Sequence, residues 1–137
     1  REYIETKGVP VVGFQTEELP AFYTRKSGFK VDYKVDSEEI LAKALKAKWD
    51  LGLEGGMVIA NPIPEEFEMD YDTINNAIET AVKEAEEKGI VGKESTPFLL
   101  SKVKEITGGS SLESNIQLVF NNAKVGAKLA VELSKLQ

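Results

Sequence analysis

The chain has neither cysteine nor histidine. Without cysteine there is no disulfide and no thiol nucleophile, a usage that fits a reducing compartment, so a cytoplasmic protein is expected. Without histidine the commonest general base and the commonest zinc ligand are gone as well. Nowhere do about 20 apolar residues follow one another, so no segment reads as a membrane span, and no signal-peptide pattern is visible. Positive charge is also short: 17 Lys and Arg against 23 Asp and Glu leave a formal charge of −6. A surface of that sign repels nucleic acid and anionic membrane, and neither is an expected partner.

What is present is ample apolar material. The 137 residues are 42% hydrophobic and 29% charged, enough for one packed domain of ordinary size. "REYIETKG" reads as the last turns of a helix closed by Gly8, an odd way for a domain to begin, and the expectation is that only the second half of a longer chain is present. "VPVVGF", Val9 to Phe14, is a β-branched run that predicts a buried strand. "QTEELPAFYTRKSGF" is loop-like, and "KVDYKV" alternates as a half-exposed strand does. Asp36 or Ser37 caps a helix whose stripe is Ile40, Leu41, Ala44, Leu45 and Lys48, with glycines to stop it. "GMVIANPIP" predicts a second buried strand ending at Asn61-Pro62.

Three helices follow. One spans Asp70 to Lys88 and closes at Gly89. Another starts with Thr96 as N-cap and Pro97 in the first helical position. The last begins at Ser110, where Ser110 and Glu113 match the S-x-x-E capping box, and it presents Leu112, Ile116, Val119, Ala123, Ala127 and Ala130 as an apolar stripe. Strands apolar on both faces and alternating with helices predict an α/β fold, layered α/β/α around a parallel or mixed sheet. Three strands are few for this much helix, so the sheet is expected to be incomplete in this chain.

Candidate functional residues are chosen by chemistry. Asn115, Asn121 and Asn122 sit inside the last helix, where a short amide competes for backbone hydrogen bonds and is a poor helix former. A carboxamide offers donors and an acceptor without charge, as the edge of a nucleobase does; tying the helix to neighbouring backbone is the plainer alternative. Asn115 also lies near the free amides and positive dipole end of the helix start. "FYTRKSG" could hold a phosphate or a polar ring through Arg25 and its neighbours, or be a charged surface loop. Asn61 stands at a strand's carboxyl end, where ligands of α/β sheets collect. The pair Gly55-Gly56 precedes a strand and so is a helix stop, not a phosphate loop. The carboxylate pairs Glu17-Glu18 and Glu65-Glu66 resemble the acids of glycosidases, but adjacent residues rarely face each other, and solvated surface is the reading. Trp49 is expected in the core or an interface, and Lys43, Lys46, Lys83 and Lys128 on solvated helix faces.

Four segments carry a resemblance: "KGVPVVGFQTEELPAFYTRKSGF", "KWDLGLEGGMVIANPIPEE", "GKESTPFLLSKVKEITGGSSLESNIQLVFNNA" and "AKLAVEL". In order and without large gaps they resemble the carboxyl-terminal portion of the pseudouridine-5′-phosphate glycosidase family, which includes the indigoidine-synthase-A-like proteins. The resemblance implies reversible cleavage of pseudouridine 5′-phosphate to uracil and ribose 5-phosphate, with a divalent metal, usually Mn2+, in a homotrimer. It implies that the ribose opens and a lysine forms a Schiff base at the anomeric carbon as the uracil carbon departs. An acidic residue moves the protons, and aspartate holds the metal through water. In that family the lysine, the glutamate, the aspartate and most phosphate contacts belong to motifs that precede this stretch. Nothing here matches them, so no catalytic residue and no metal ligand is assigned to this chain.

One position does carry over. Asn115, in "SLESN", resembles the family's substrate-contacting asparagine and is expected to face the pyrimidine pocket. Thr16, Arg25 and Asn61 lie in motif-like stretches and are substrate-binding candidates by position. Asn121 and Asn122 have no such match, and helix packing is expected of them. Residues 1–137 are thus expected to be the carboxyl-terminal part of a single glycosidase domain, inactive alone. A non-catalytic nucleotide-binding or assembly module that keeps only this half is the alternative.

Overall fold

The computed structural model describes residues 2–136. In it α1 (Glu2–Thr6) leads to β1 (Val11–Phe14), β2 (Tyr33–Val35), α2 (Glu38–Asp50) and β3 (Val58–Ala60). A 3₁₀ turn at Glu65–Phe67 precedes α3 (Tyr71–Glu87), and a second at Gly92–Glu94 runs into α4 (Ser95–Ile106) and α5 (Ser110–Ser134). The three strands form a parallel sheet in the order β2-β1-β3. The α/β class, the parallel sheet and its thinness are as the sequence predicts.

All four residues of the central strand β1 are buried. Val12 and Phe14, two apart and so on one face, pack with Leu41 of α2 and Val125 of α5, joined by Val35, Met57, Ile59 and Leu129. Two helices thereby cover this face. On the opposite face the backbone itself comes close. A Cβ at Gly13 would lie 2.4 Å from the Thr16 carbonyl oxygen and 2.9 Å from Val31, so only glycine fits where the chain turns back over the strand.

Parallel strands need a crossover, and residues 15–32 supply one from β1 to β2 without a helix. The segment is folded on itself. Leu19 N–H donates to the Phe29 carbonyl at 2.8 Å and Val31 N–H to that of Glu17 at 3.0 Å. The Glu18 carboxylate accepts the backbone N–H groups of Ser27 and Gly28. Glu17 pairs loosely with Lys34, 3.8 Å away. These are structural and surface jobs, as the sequence expects of the Glu17-Glu18 pair. From this loop Tyr23 is buried in a second core with Ile74, Ala77 and Ala81 of α3 and Val103 of α4. The small residues of α3 let α4 approach closely, and burial raises the Tyr23 phenol above its ordinary pKa while the neighbouring Ser111 side chain opposes the shift.

Several local expectations are met. Ser37 caps α2 by accepting from Ile40 N–H, and Asp70 caps α3 by accepting from Thr73 N–H. Gly8 and Gly89 take the positive φ that ends a helix. Others are corrected. α4 starts at Ser95 with Glu94 before it and no side-chain cap, so Thr96 is not the N-cap; the preceding 3₁₀ turn already supplies helical backbone. α5 does begin at Ser110, yet Gly109 is its N-cap residue, and the Ser110 hydroxyl donates backward to the Thr107 carbonyl instead of forming a capping box. On α2 the buried positions are Leu41, Ala42 and Lys48, while Ile40 is exposed. Trp49 is 46% exposed, outside the core of the described chain, with its indole N–H on the Gly55 carbonyl.

α5 turns a different face inward from its apolar stripe. Its inward residues are Ser111, Ser114, Leu118 and Val125. The stripe read from the sequence points outward from the described chain: Leu112, Ile116 and Val119 are exposed, with Val119 at 57% and neighbouring Phe120 at 63%. The two stripes are offset by one residue, about 100° around the helix.

Candidate functional site

β1 and β3 point the same way, so their carboxyl ends lie side by side and open into a common crevice. Phe14 and Gln15 leave β1 there, and Asn61-Pro62 leaves β3. Gln15 holds a left-handed φ of 55°, its N–H donates to the Val35 carbonyl at 2.8 Å, and its side-chain amide to that of Asp36 at 3.2 Å. The cavity at this end is about 260 Å3 and is also lined by Arg25, Asn121, Lys124 and Lys128.

Amides close one wall. Asn61 Nδ2 donates to Asn122 Oδ1 at 2.9 Å. Asn121 Nδ2 donates to the Pro62 carbonyl at 3.1 Å and more weakly to Asn61 Oδ1 at 3.4 Å. Two adjacent helix residues thus grip one strand end. Arg25 closes the other wall. Its guanidinium donates to the Ile63 carbonyl at 2.6 Å, and its backbone N–H to the Glu68 carboxylate at 2.7 Å. Lys128 reaches Glu38 at the start of α2, 3.3 Å away. The Glu38 carboxyl is held below its ordinary pKa, first by a hydrogen bond from its own backbone N–H and then by Lys128. Three cations and one carboxylate line the crevice, a local positive excess in a chain whose charge is −6. The chemistry on offer is recognition of a polar or anionic group.

The structure brings Arg25 and Asn61 into this crevice but places the other two candidates elsewhere. The Thr16 hydroxyl is engaged within its loop, donating to the Glu18 carbonyl at 2.8 Å and accepting from Glu18 N–H. Asn115 is half-buried on α5, about one and two-thirds turns before Asn121, or about 9 Å along the axis. Its neighbour Ser114 is buried and donates to the Phe67 carbonyl at 2.9 Å, fixing this part of α5 against the first 3₁₀ turn. Gln15, Lys124 and Lys128 were not singled out for this site from the sequence. Gln15 could have been found as the residue after a buried strand; the lysines carry no local signal, because only the docking of α5 brings them to the strand ends. No group of three or more acidic residues converges among the described residues, and no described helix is long and apolar enough to cross a membrane.

Comparison with known proteins gives the chain's relatives. Over 135 residues the chain is 77% identical to the pseudouridine-5′-phosphate glycosidase of Clostridium botulinum, covering 98% of this chain and 44% of that protein. The crystal structure of the prealnumycin C-glycosynthase AlnA in complex with ribulose 5-phosphate superposes with a TM-score of 0.86 at 31% identity, over 99% of this chain and 45% of that one. An indigoidine synthase A-like protein from Thermotoga maritima gives 0.79 at 34% identity, over 99% of this chain and 44% of that one. The chain spans a little under half the length of the relatives it matches. A family model described as indigoidine synthase A like protein matches residues 1–132, and the chain belongs to that family.

Proposed function

We propose that this chain is the carboxyl-terminal part of a pseudouridine-5′-phosphate glycosidase. The single observation that carries the reading is the 77% identity to a protein of that name across nearly the whole chain. The reaction adds water overall: the C–C bond between ribose and base breaks, and uracil and ribose 5-phosphate leave. A lysine contributed by polypeptide outside residues 1–137 is bonded to the anomeric carbon of the opened ribose; its nitrogen forms the Schiff base as the C–C pair leaves on the uracil carbon, which takes a proton, and water then hydrolyses the Schiff base to ribose 5-phosphate. The protein works in the cytoplasm as a trimer, and Mn2+ would be held by residues outside this chain. The residues described here offer no convergent set of carboxylates for that ion, and no step is assigned to it.

This chain's part is positioning. Asn115 reads the edge of the pyrimidine with an uncharged amide, which can donate and accept at once. Arg25 and Asn61 shape the floor at the strand ends, their own hydrogen bonds keeping the crevice in one geometry.

The test uses a polypeptide of the relatives' full length that contains this chain. Pseudouridine 5′-phosphate with Mn2+ should release uracil, and borohydride should trap a ribose phosphate adduct on a lysine outside residues 1–137. A folded, metal-loaded protein that releases no uracil, or an adduct on a lysine of this chain, refutes the reading. Asn115→Ala should lower kcat/KM by roughly 10- to 100-fold, the effect of one lost hydrogen bond to a bound base.

A further inference from the structure

Asn115, proposed above to read the base, is the asparagine of α5 whose amide is left open. Asn121 and Asn122 are engaged by Pro62 and Asn61, while among the described residues nothing hydrogen-bonds the Asn115 side chain. An amide without a partner must be aimed by the backbone that carries it. A side chain's tip stands about 5 Å from the helix axis, so a roll of about 10° moves it by about 0.9 Å. A displacement of that size can cost up to about 100-fold in rate. Yet the entry to α5 does little to fix its roll. The chain arrives through Gly108 and Gly109, at φ 60° and 95°, and no side chain caps the helix. The contacts of Ser110 and Ser111 with Thr107 tie the helix only to its own approach.

Ser114 supplies a distant anchor. It is buried, next in sequence to Asn115. A serine inside a helix often turns its hydroxyl back to the carbonyl four residues earlier. Ser114 instead donates to the Phe67 carbonyl, 47 positions away, at 2.9 Å. Phe67 is itself held. It ends the 3₁₀ turn Glu65–Phe67, and its N–H donates to the Pro64 carbonyl at 3.0 Å. The loop between β1 and β2 clasps the residues on either side. The Glu68 carboxylate accepts Arg25 N–H, Met69 N–H donates to the Tyr23 carbonyl at 3.0 Å, and the Arg25 guanidinium donates to the Ile63 carbonyl. The turn is thus fixed to the residue that walls the crevice, and Ser114 fixes α5 to the turn.

We infer that Ser114 is a positioning residue for the base-reading amide: its hydrogen bond to Phe67 sets the roll of the opening turns of α5, and with it the direction of Asn115. The role rests on Asn115 touching the base, as proposed above. Ser114 faces the interior, so it acts through its neighbour. Removing its hydroxyl leaves the Phe67 carbonyl without that donor and lets the first turns roll, which weakens the hold on the pyrimidine and leaves the hold on the sugar phosphate as it was.

Kinetics in the direction of synthesis, from uracil and ribose 5-phosphate, test this in a polypeptide of the relatives' full length that contains this chain. Ser114→Ala should raise KM for uracil by roughly 3- to 10-fold, the effect of one hydrogen bond, and leave KM for ribose 5-phosphate within about twofold. In the double variant Ser114→Ala/Asn115→Ala, kcat/KM for uracil should fall no further than in Asn115→Ala alone, because the amide that Ser114 aims is already gone. An unchanged uracil KM in Ser114→Ala overturns the inference. So does an equal rise in both KM values, which a loosened fold would give, or a double variant whose losses simply multiply. An Asn115→Ala enzyme with unaltered kinetics would instead remove the base-reading role itself, and the positioning role with it, so the two failures are told apart.

Discussion

Asn61, the first residue after β3, and Asn122, on the fourth turn of α5, hold each other through a 2.9 Å amide–amide hydrogen bond. Sixty-one positions separate them along the chain, yet this contact joins strand end to helix at the mouth of the crevice. Asn121 reinforces it through Pro62. Replacing Asn61 and Asn122 by alanine, singly and together, should give a coupling of about 0.5–1.5 kcal/mol in urea unfolding. Strictly additive losses would mean that the two amides do not act on each other. Asn121→Ala should cost more than Asn122→Ala, because the partly buried Pro62 carbonyl is left without its donor.

Lys48 is a buried cation whose ammonium donates to main-chain oxygens, those of Leu53 at 3.3 Å and of Glu54. It laces the loop after α2 to the helix end, where a positive charge is favoured by the dipole. Lys48→Met keeps the stem and removes the donors, leaving two partly sheltered carbonyls unpaired. The expected loss is about 1–3 kcal/mol, with faster amide exchange confined to residues 51–56. An unchanged unfolding midpoint would show that water replaces the ammonium without penalty.

Glu84 of α3 and Lys102 of α4 meet at 3.0 Å and tie the two helices together. The Glu84 carboxyl is held below 4.5, first by Lys88 and then by Lys102, and Lys102 is held above 10.5, first by Glu84 and then by Glu105. The signs fix the pH window. A depressed carboxyl stabilises the fold in full above 4.5, and that contribution fades as pH falls through its lower folded value. A raised ammonium stabilises in full below 10.5 and loses its contribution as pH climbs past its higher folded value. The Tm difference between the parent and Glu84→Gln should therefore be flat through neutral pH and shrink in acid. A difference that grows below pH 4.5 would contradict the assignment. Both groups are solvent-accessible, so added salt should narrow the gap.

Residues 1–137 by themselves should release no uracil from pseudouridine 5′-phosphate with Mn2+, because no Schiff-base lysine is assigned to them. Adding the complementary portion of the polypeptide in trans should restore release. Turnover by the short chain alone, at enzyme-like rates, would move the chemistry onto residues described here.

Local signals in the sequence held where the physics is local. Ser37 and Asp70 accept from N–H groups three residues on, a geometry that depends on a few adjacent dihedrals. Gly8 and Gly89 end helices because they tolerate positive φ. The burial of β1 followed from its β-branched run. The capping box at Ser110 failed locally, because its hydroxyl donates to the Thr107 carbonyl three residues back. Where a remote partner decides, the same reasoning also fell short. The crevice was half legible: Arg25 and Asn61 were picked, whereas Lys124 and Lys128 became part of it only through the docking of α5.

The sequence by itself determined the class of this protein: short apolar strands alternating with amphipathic helices, the caps that start α2 and α3, and the motifs that mark the family. Periodicity tells which residues share a helix face, since 3.6 residues make a turn. It does not tell which way that face turns. Only the tertiary structure decided that Ser111, Ser114, Leu118 and Val125 look inward while Leu112, Ile116 and Val119 look out. The reason is physical: burial is a property of contacts between distant segments, and a helix with two stripes presents to the sheet the one whose shape and amides match the strand ends.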